Sequence, residues 1–541
     1  MSSSSKIKPK VNSRQNHIRF IIGANFRSKT GCLTCKKKKR KCDESSPICS
    51  FCSIRGIECV YPHKQSTTNH KSNNSTTVVS GLELMPISSV EHQKTSNLNF
   101  FVELETEAPS PRIFSPIETF QDAYPIFKTP NSFASLYLDY KGMYYLDYFE
   151  NKLSGELAIS FDQTNYFKKL FSLLANNEET FTYVVTAWGA LYCKNRLYDD
   201  EVREYMNKAL KKFNHMFGNK INGFDYYFQL CFYLIISEMH ICIGELKEWR
   251  VYFDKTCRLI NEYGGLQKLC EDFSYSHEIR FMVSNLQYND IMSSRTLAEG
   301  TSFPVEEYEM VFNHPNFKKF ELSYGIDTLQ GCHQSVLLLL GDIMNHKVIL
   351  TRELILVESI DKSSEQSLVE YQRAKRDYYQ LVESFASKLS AKLETTNPNQ
   401  EVLKSIENDP SEYEVYSKTY DLYKLCCELY LHLYIKQIIP SNYQIQQIVL
   451  ECFDLVDILI TSKMNLILCL PLLICGVCTF EQGNKAYMKS TINKVRMVSP
   501  VQNLDKCWVI LQRVWELNPD GNVIVDWSNI CDELGWDLNV C

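Results

Sequence analysis

Six cysteines near the start of the chain follow the spacing Cys32-x2-Cys35-x6-Cys42-x6-Cys49-x2-Cys52-x6-Cys59, and no other feature restricts the fold as tightly. Each half repeats C-x2-C-x6-C, and two cysteines two residues apart can hold one metal from a single tight turn. A tetrahedral thiolate site needs four sulfurs, each about 2.3 Å from the metal. Six sulfurs make two such sites only if two of them serve both metals. The internal symmetry nominates the first cysteine of each half, Cys32 and Cys49, as these bridges. One site then uses Cys32, Cys35, Cys42 and Cys49, and the other uses Cys49, Cys52, Cys59 and Cys32. A module of this size is too small to fold on an apolar core alone. Two Zn²⁺ ions are therefore expected to supply its folding energy, roughly 10 kcal/mol or more per structural site.

Other chemistries fit the sextet less well. Three disulfides require an oxidising compartment, and fifteen further cysteines scattered from Cys193 to Cys541 read as reduced, intracellular thiols. A redox C-x-x-C belongs beside a βαβ pattern, which this sequence lacks. An iron–sulfur cluster uses only four thiolates.

Between Cys35 and Cys42 lie Lys36, Lys37, Lys38, Lys39, Arg40 and Lys41. Six thiolates outweigh two zinc ions, so these cations stabilise an anionic cluster and favour the metal-binding thiolates. A short helix here spreads the six cations around its circumference, because successive residues turn by about 100°. The matching stretch of the second half, Ser53-Ile54-Arg55-Gly56-Ile57-Glu58, has one cation and one acid. The first half is thus expected to read DNA and the second to scaffold it. A basic side chain in the major groove meets guanine O6 and N7 as paired acceptors. The run is also a nuclear-localisation patch.

Charge along the chain agrees. Residues 1–65 contain 15 Lys and Arg against Asp43, Glu44 and Glu58, a net of +12, so the total of -6 leaves -18 on the rest. A basic tip on an acidic body suits a nucleic-acid-binding head. Residues 1–30 read as a basic disordered N-terminus with an apolar patch at Phe20-Ile21-Ile22, and MSSSSKIKPK lacks the apolar region of a signal peptide. Residues 31–62 form the cysteine module. Residues 63–131 read as a flexible linker, first rich in Ser, Thr and Asn, then mixing Glu103, Glu105 and Glu107 with Ser110-Pro111, Ser115-Pro116 and Thr129-Pro130.

From residue 132 to 541 the texture is that of amphipathic helices, with apolar residues recurring at three- and four-residue spacing. The pattern predicts helices over 166–174, 202–217, 226–243, 249–260, 335–357, 368–393, 412–439, 444–460 and 501–517. Breaks fall at Gly264-Gly265, Asn397-Pro398 and Pro440-Ser441-Asn442. Gly (20) and Pro (17) are too sparse for a many-turned β fold, and no alternating strands or fixed-period repeats occur. The expectation is one large all-α domain or two closely packed helical halves, with the weakest point at residues 362–367. The apolar stretches 224–243 and 466–480 are interrupted by Asp225, Gln229, Glu238 and His240, and by Pro471, and read as core helices rather than membrane spans.

Residues 31–62 resemble the fungal Zn(II)2Cys6 binuclear-cluster domain. The likeness lies in Gly31-Cys32-Leu33-Thr34-Cys35, the basic run before Cys42, Pro47 before Cys49, and Cys59-Val60-Tyr61. The resemblance implies that the first and fourth cysteines bridge the zincs. It also implies that Lys38 and Lys39 read a CGG triplet in double-stranded DNA, with Lys36, Lys37, Arg40 and Lys41 on phosphates, charge balance or nuclear import. The remainder is similar to the fungal-specific transcription-factor domain. Ser302-Phe303-Pro304-Val305-Glu306, Leu337-Leu338-Leu339-Leu340-Gly341, Pro471-Leu472, Gly476-Val477-Cys478 and Asp532-Glu533-Leu534 carry that likeness. It implies a nuclear, inducer-responsive activator of nitrogen-source genes of the γ-aminobutyrate type that engages the transcription machinery and takes a small-molecule inducer.

Many members of that family dimerise through a coiled coil after the linker, but residues 63–100 contain no run of three heptads. Either the helical domain forms a homodimer or single half-sites are bound. No nucleotide-binding, metalloprotease or hydrolase motif is present, and His277-Glu278 lacks the second histidine of H-E-x-x-H. Trp188, His240 and Cys426-Cys427 read as core or surface residues rather than site residues. A protein-interaction adaptor is disfavoured by the basic run, and an enzyme with a DNA-binding head by the missing motifs.

Overall fold

The computed structural model describes residues 32–38, 52, 57–61, 133–194, 196–216, 223–499 and 501–541. The N-terminal basic segment, residues 63–131, Cys42, Cys49, Lys39, Arg40 and Lys41 lie outside the described residues. The chain divides into two compact units, Met1–Glu105 and Thr106–Cys541.

The first unit contains the short helix α1 (Leu33–Lys37). Among its described residues the core is the thiols of Cys32, Cys35 and Cys52, with Ile57, Cys59 and Tyr61 packed against them.

The second unit is helical, and among its described residues there is no strand, only isolated bridges. Its longer helices run in order α2 (Tyr140–Tyr148), α3 (Glu179–Cys193), α4 (Asp200–Met216), α5 (Gly223–Cys242), α6 (Glu248–Tyr263) and α7 (His277–Ile291). They continue as α8 (Gln334–Glu358), α9 (Glu365–Thr395), α10 (Pro410–Tyr430), α11 (Tyr443–Leu459), α12 (Cys469–Cys478), α13 (Gln482–Val498) and α14 (Asn503–Leu517). The predicted periodic segments coincide with α4, α5, α6, α8, α9, α10, α11 and α14, while 166–174 is a π-helical turn, Phe167–Ser172, running into Leu173–Asn177. In α4 the buried residues Val202, Tyr205, Met206, Ala209 and Phe213 recur at helical spacing, so one stripe faces the core.

The helix ends have local causes. Gly264 closes α6 in the left-handed region at φ 119°, where a side chain is strained. The Asp409 carboxylate accepts backbone N–H groups at the start of α10, ahead of Pro410. The Asn442 side chain caps α11 just after Pro440.

The buried apolar residues form two large clusters. One holds α2 to α6 and the first part of α7, down to Leu286. The other takes Tyr288 and Ile291 of α7 and most of the apolar residues of the later helices. Helix α7 therefore contributes to both cores, and the chain returns to the first from Phe303 to Tyr324. The break expected at residues 362–367 is a turn instead. It joins α8 and α9, which pack on each other, and Ser364 and Ser367 form a capping box that starts α9.

Helix α7 is buried almost throughout even though it carries Asn285, Gln287, Asn289 and Asp290. Most of these polar groups find partners from other elements. Asp290 accepts the Ser302 N–H and hydroxyl at 2.8 Å and the Tyr308 hydroxyl at 3.2 Å. Asn285 donates to Glu238 of α5 at 2.6 Å. The segments 466–480 and 224–243 are core, all of α12 being buried, and among the described residues no helix is long and apolar enough to cross a membrane.

Candidate metal centre

Cys32 sits at the N-cap of α1, and its Sγ accepts the Cys35 N–H at 3.3 Å. This tight turn explains the C-x2-C spacing: it directs two thiols toward the same interior, and both residues are fully buried. The second half closes over the first through backbone pairing. The Leu33 N–H donates to the Val60 carbonyl at 2.7 Å, and the Thr34 hydroxyl donates to the Glu58 carbonyl at 2.6 Å. The Ile57 N–H donates to the Cys52 carbonyl at 3.0 Å, curling the chain between Cys52 and Cys59.

The result brings Cys32 to the second half's cysteines. The sulfurs of Cys32, Cys52 and Cys59 all lie within 4.8 Å of one another. Cys32 and Cys52 are 3.8 Å apart, far beyond the roughly 2.05 Å of a disulfide. Two sulfurs bound tetrahedrally to one zinc at about 2.3 Å are separated by about 3.8 Å. The donor set therefore fits zinc. Cys32 belongs by sequence to the first repeat and by position to the second repeat's trio, as a bridging ligand must. Of the six predicted ligands, Cys32, Cys35, Cys52 and Cys59 are described, and the first, third and fourth form the trio. Cys42 and Cys49 are outside the described residues.

Lys36, Lys37 and Lys38 are exposed. Lys36 and Lys37 occupy the last turn of α1, where cations suit the helix dipole. The Lys38 N–H caps the helix, donating to the Thr34 carbonyl at 3.0 Å. The helix is thus shorter than the six-cation helix expected from the sequence, because it ends at Lys37. The sequence marks Leu33 and Thr34 only as part of the family likeness, not as contacts to the second half. Their role is visible only from Glu58 and Val60, more than twenty positions away, and no local signal marks it.

In the helical unit, Trp188, Cys426 and Cys427 are fully buried and His240 is buried too, which makes them core residues. Burial pulls the His240 imidazole down to about 4, so it is neutral at physiological pH.

Residues 144–541 match the Fungal specific transcription factor domain, and residues 30–68 match the Fungal Zn(2)-Cys(6) binuclear cluster domain. An uncharacterized transcriptional regulatory protein of Schizosaccharomyces pombe is 24% identical over 543 residues, covering 95% of this chain and 97% of its own. The transcriptional activator protein UGA3 of Saccharomyces cerevisiae is 22% identical over 556 residues, again covering 95% and 97%. The transcription factor lfc1 of Flammulina velutipes is 55% identical over 40 residues, 7% of this chain and 14% of its own. No solved structure matches the chain significantly.

Proposed function

Because the chain belongs to the fungal specific transcription factor domain family and carries the Zn(2)-Cys(6) cluster domain ahead of it, we propose that it is a nuclear, inducer-responsive activator that reads CGG triplets and switches on nitrogen-source catabolism genes of the γ-aminobutyrate type. At the coarser level it is a fungal zinc-cluster transcription factor, a DNA-binding regulator and not an enzyme, and its cluster domain binds two zinc ions. The observation that carries the reading is the convergence of Cys32, Cys52 and Cys59 beside exposed lysines on α1.

Cys32, Cys35, Cys42 and Cys49 would hold one zinc, and Cys49, Cys52, Cys59 and Cys32 the other. The zincs would supply cross-links between the two halves of the module. The chain's own residues then do the positioning. The Leu33 and Thr34 bonds to Val60 and Glu58 fix α1 against the second half. Fixing α1 fixes the direction of its lysines, and Lys38 with Lys39 would engage guanine O6 and N7 while their neighbours meet phosphates.

The γ-aminobutyrate part rests on the resemblance of segments 302–306, 337–341, 471–478 and 532–534. Several of these segments are close-packing sites. A Cβ on Gly341 would lie 3.2 Å from Ile291 and 3.3 Å from Val305, and one on Gly476 would lie 2.6 Å from Leu511. Homodimerisation through the helical unit and contact with the transcription machinery complete the reading.

The test is binding of the purified full chain to duplexes with and without CGG, across salt concentrations, joined to genome-wide binding maps with and without γ-aminobutyrate. Lys38→Ala is expected to weaken CGG binding by about 1–3 kcal/mol and to relax preference at that triplet. An equal loss on every sequence would make Lys38 a phosphate contact. Binding maps indifferent to γ-aminobutyrate would overturn the inducer assignment.

A further inference from the structure

Helix α9 packs on α8 and puts Tyr378, Ala386, Leu389 and Leu393 into the core, but no residue from 365 to 377 is buried. Helices in proteins are held mainly by the packing of a face against a neighbour, and a stretch of that length is marginal in water by itself. The opposite face of α9 leaves large apolar side chains in solvent, with Val369 62% and Tyr379 56% exposed. A shallow depression runs along that face, lined by Gln372, Lys375, Arg376, Tyr379, Gln380 and Glu383.

The charges on this face are arranged to complement themselves. Arg376 and Glu383 are both exposed, and neither has an ion-pair partner among the described residues. Seven positions apart, they lie about two turns from each other on one side of the helix. The point midway between them falls between Tyr379 and Gln380. Turning a second copy by half a rotation about an axis through that point lays the two α9 helices antiparallel. Arg376 of each copy then stands opposite Glu383 of the other, and the two Tyr379 rings meet beside the axis. A two-fold interface demands such self-complementarity, since one patch must serve as both partners. Net charge also favours this place. Residues 349–377 hold five Lys and Arg against six Asp and Glu, while the chain beyond residue 65 sums to -18, so two acidic bodies meet here with little repulsion.

We propose that the exposed face of α9 around Tyr379 is the surface through which two copies of the chain pair, antiparallel and two-fold. This rests on the homodimer reading and names its surface. One helix face buries less than the roughly 800 Å² per copy of a standard interface, so the pair is weak and depends on concentration. Its two Arg376–Glu383 contacts fix orientation and partner more than they add affinity.

The experiment is sedimentation equilibrium of the purified full chain, without DNA, from low to high micromolar concentration. The parent is expected to pass from monomer to dimer over that range. Arg376→Glu and Glu383→Arg each turn two attractive contacts per dimer into repulsive ones, and each should weaken pairing about tenfold or more. An equimolar mixture of the two variants restores opposite charges at both contacts and should regain the parent's pairing, a recovery that misfolding of either variant would prevent. A parent that stays monomeric throughout would overturn the homodimer reading and this surface with it. A parent that dimerises, with single variants that pair equally well or a mixture that gains nothing, would overturn this surface and leave the homodimer reading standing.

Discussion

Replacing Gly189 by alanine is the sharpest test of how the helical unit is assembled. Gly189 lies inside α3, and a Cβ there would sit 2.0 Å from the Tyr145 carbonyl oxygen of α2. Contacts below 3.0 Å are essentially never made by real Cβ atoms, so one helix must move by about 1 Å. The obstructing atom is backbone, which cannot swing away as a side chain can. Overpacking of a well-filled core costs about 1–3 kcal/mol, and a backbone obstacle puts this case near 3. Alanine returns about 1 kcal/mol through its higher helix propensity. The net expectation is a loss of about 2 kcal/mol, read as a lower urea midpoint of the full chain with an unchanged slope. CGG binding should be unaffected, since the cysteine module belongs to the other compact unit. A Gly189→Ala chain as stable as the parent, or more so, would refute the close approach of α2 and α3.

Cys59→Ser should lower the zinc content from two ions per chain to one and abolish CGG binding, as checked by metal analysis and gel shift; two ions retained would remove Cys59 from the ligand set. Arg280→Met should destabilise the helical unit by roughly 3 kcal/mol. Arg280 pairs with the buried Glu321 at 3.3 Å, and without it the carboxylate keeps the half-exposed Lys318 at 3.5 Å as its cation and the Asn399 amide as a donor; the double variant with Glu321→Gln should recover much of that loss. The Glu238 carboxyl is raised from 4.5 to about 7 by burial, partly opposed by Asn289 and Asn285. A group whose folded pKa lies above its unfolded value favours folding most at low pH, and that contribution fades as pH climbs from about 4.5 through 7. Glu238→Gln should therefore gain on the order of 3 kcal/mol relative to the parent between pH 5 and pH 8; parallel pH profiles would argue against the buried carboxyl.

Chemistry and periodicity that act over a few residues are legible in the amino-acid order itself. The cysteine spacing announces a metal module because the C-x2-C turn is local, and the fold realises it through the Cys35 N–H bond to Cys32 Sγ. Helices such as α4, α6 and α11 are legible because each buries one stripe. Helices α3 and α7 give no such pattern, because they are buried almost all round and have no solvent-facing side for periodicity to report.

Tertiary structure alone decided the rest. Nothing near Asn285 and Asn289 in the sequence marks them as buried; Glu238, about fifty positions earlier, accepts their hydrogen bonds. The polar run at 362–367 suggested a seam, yet the cores separate within an unbroken helix, between Leu286 and Tyr288. Cys32 joins Cys52 and Cys59 because Leu33 and Thr34 pair with Val60 and Glu58. Local sequence specifies which turns and helices form, but burial and hydrogen-bond partners come from residues far along the chain, and those are set only when the helices pack.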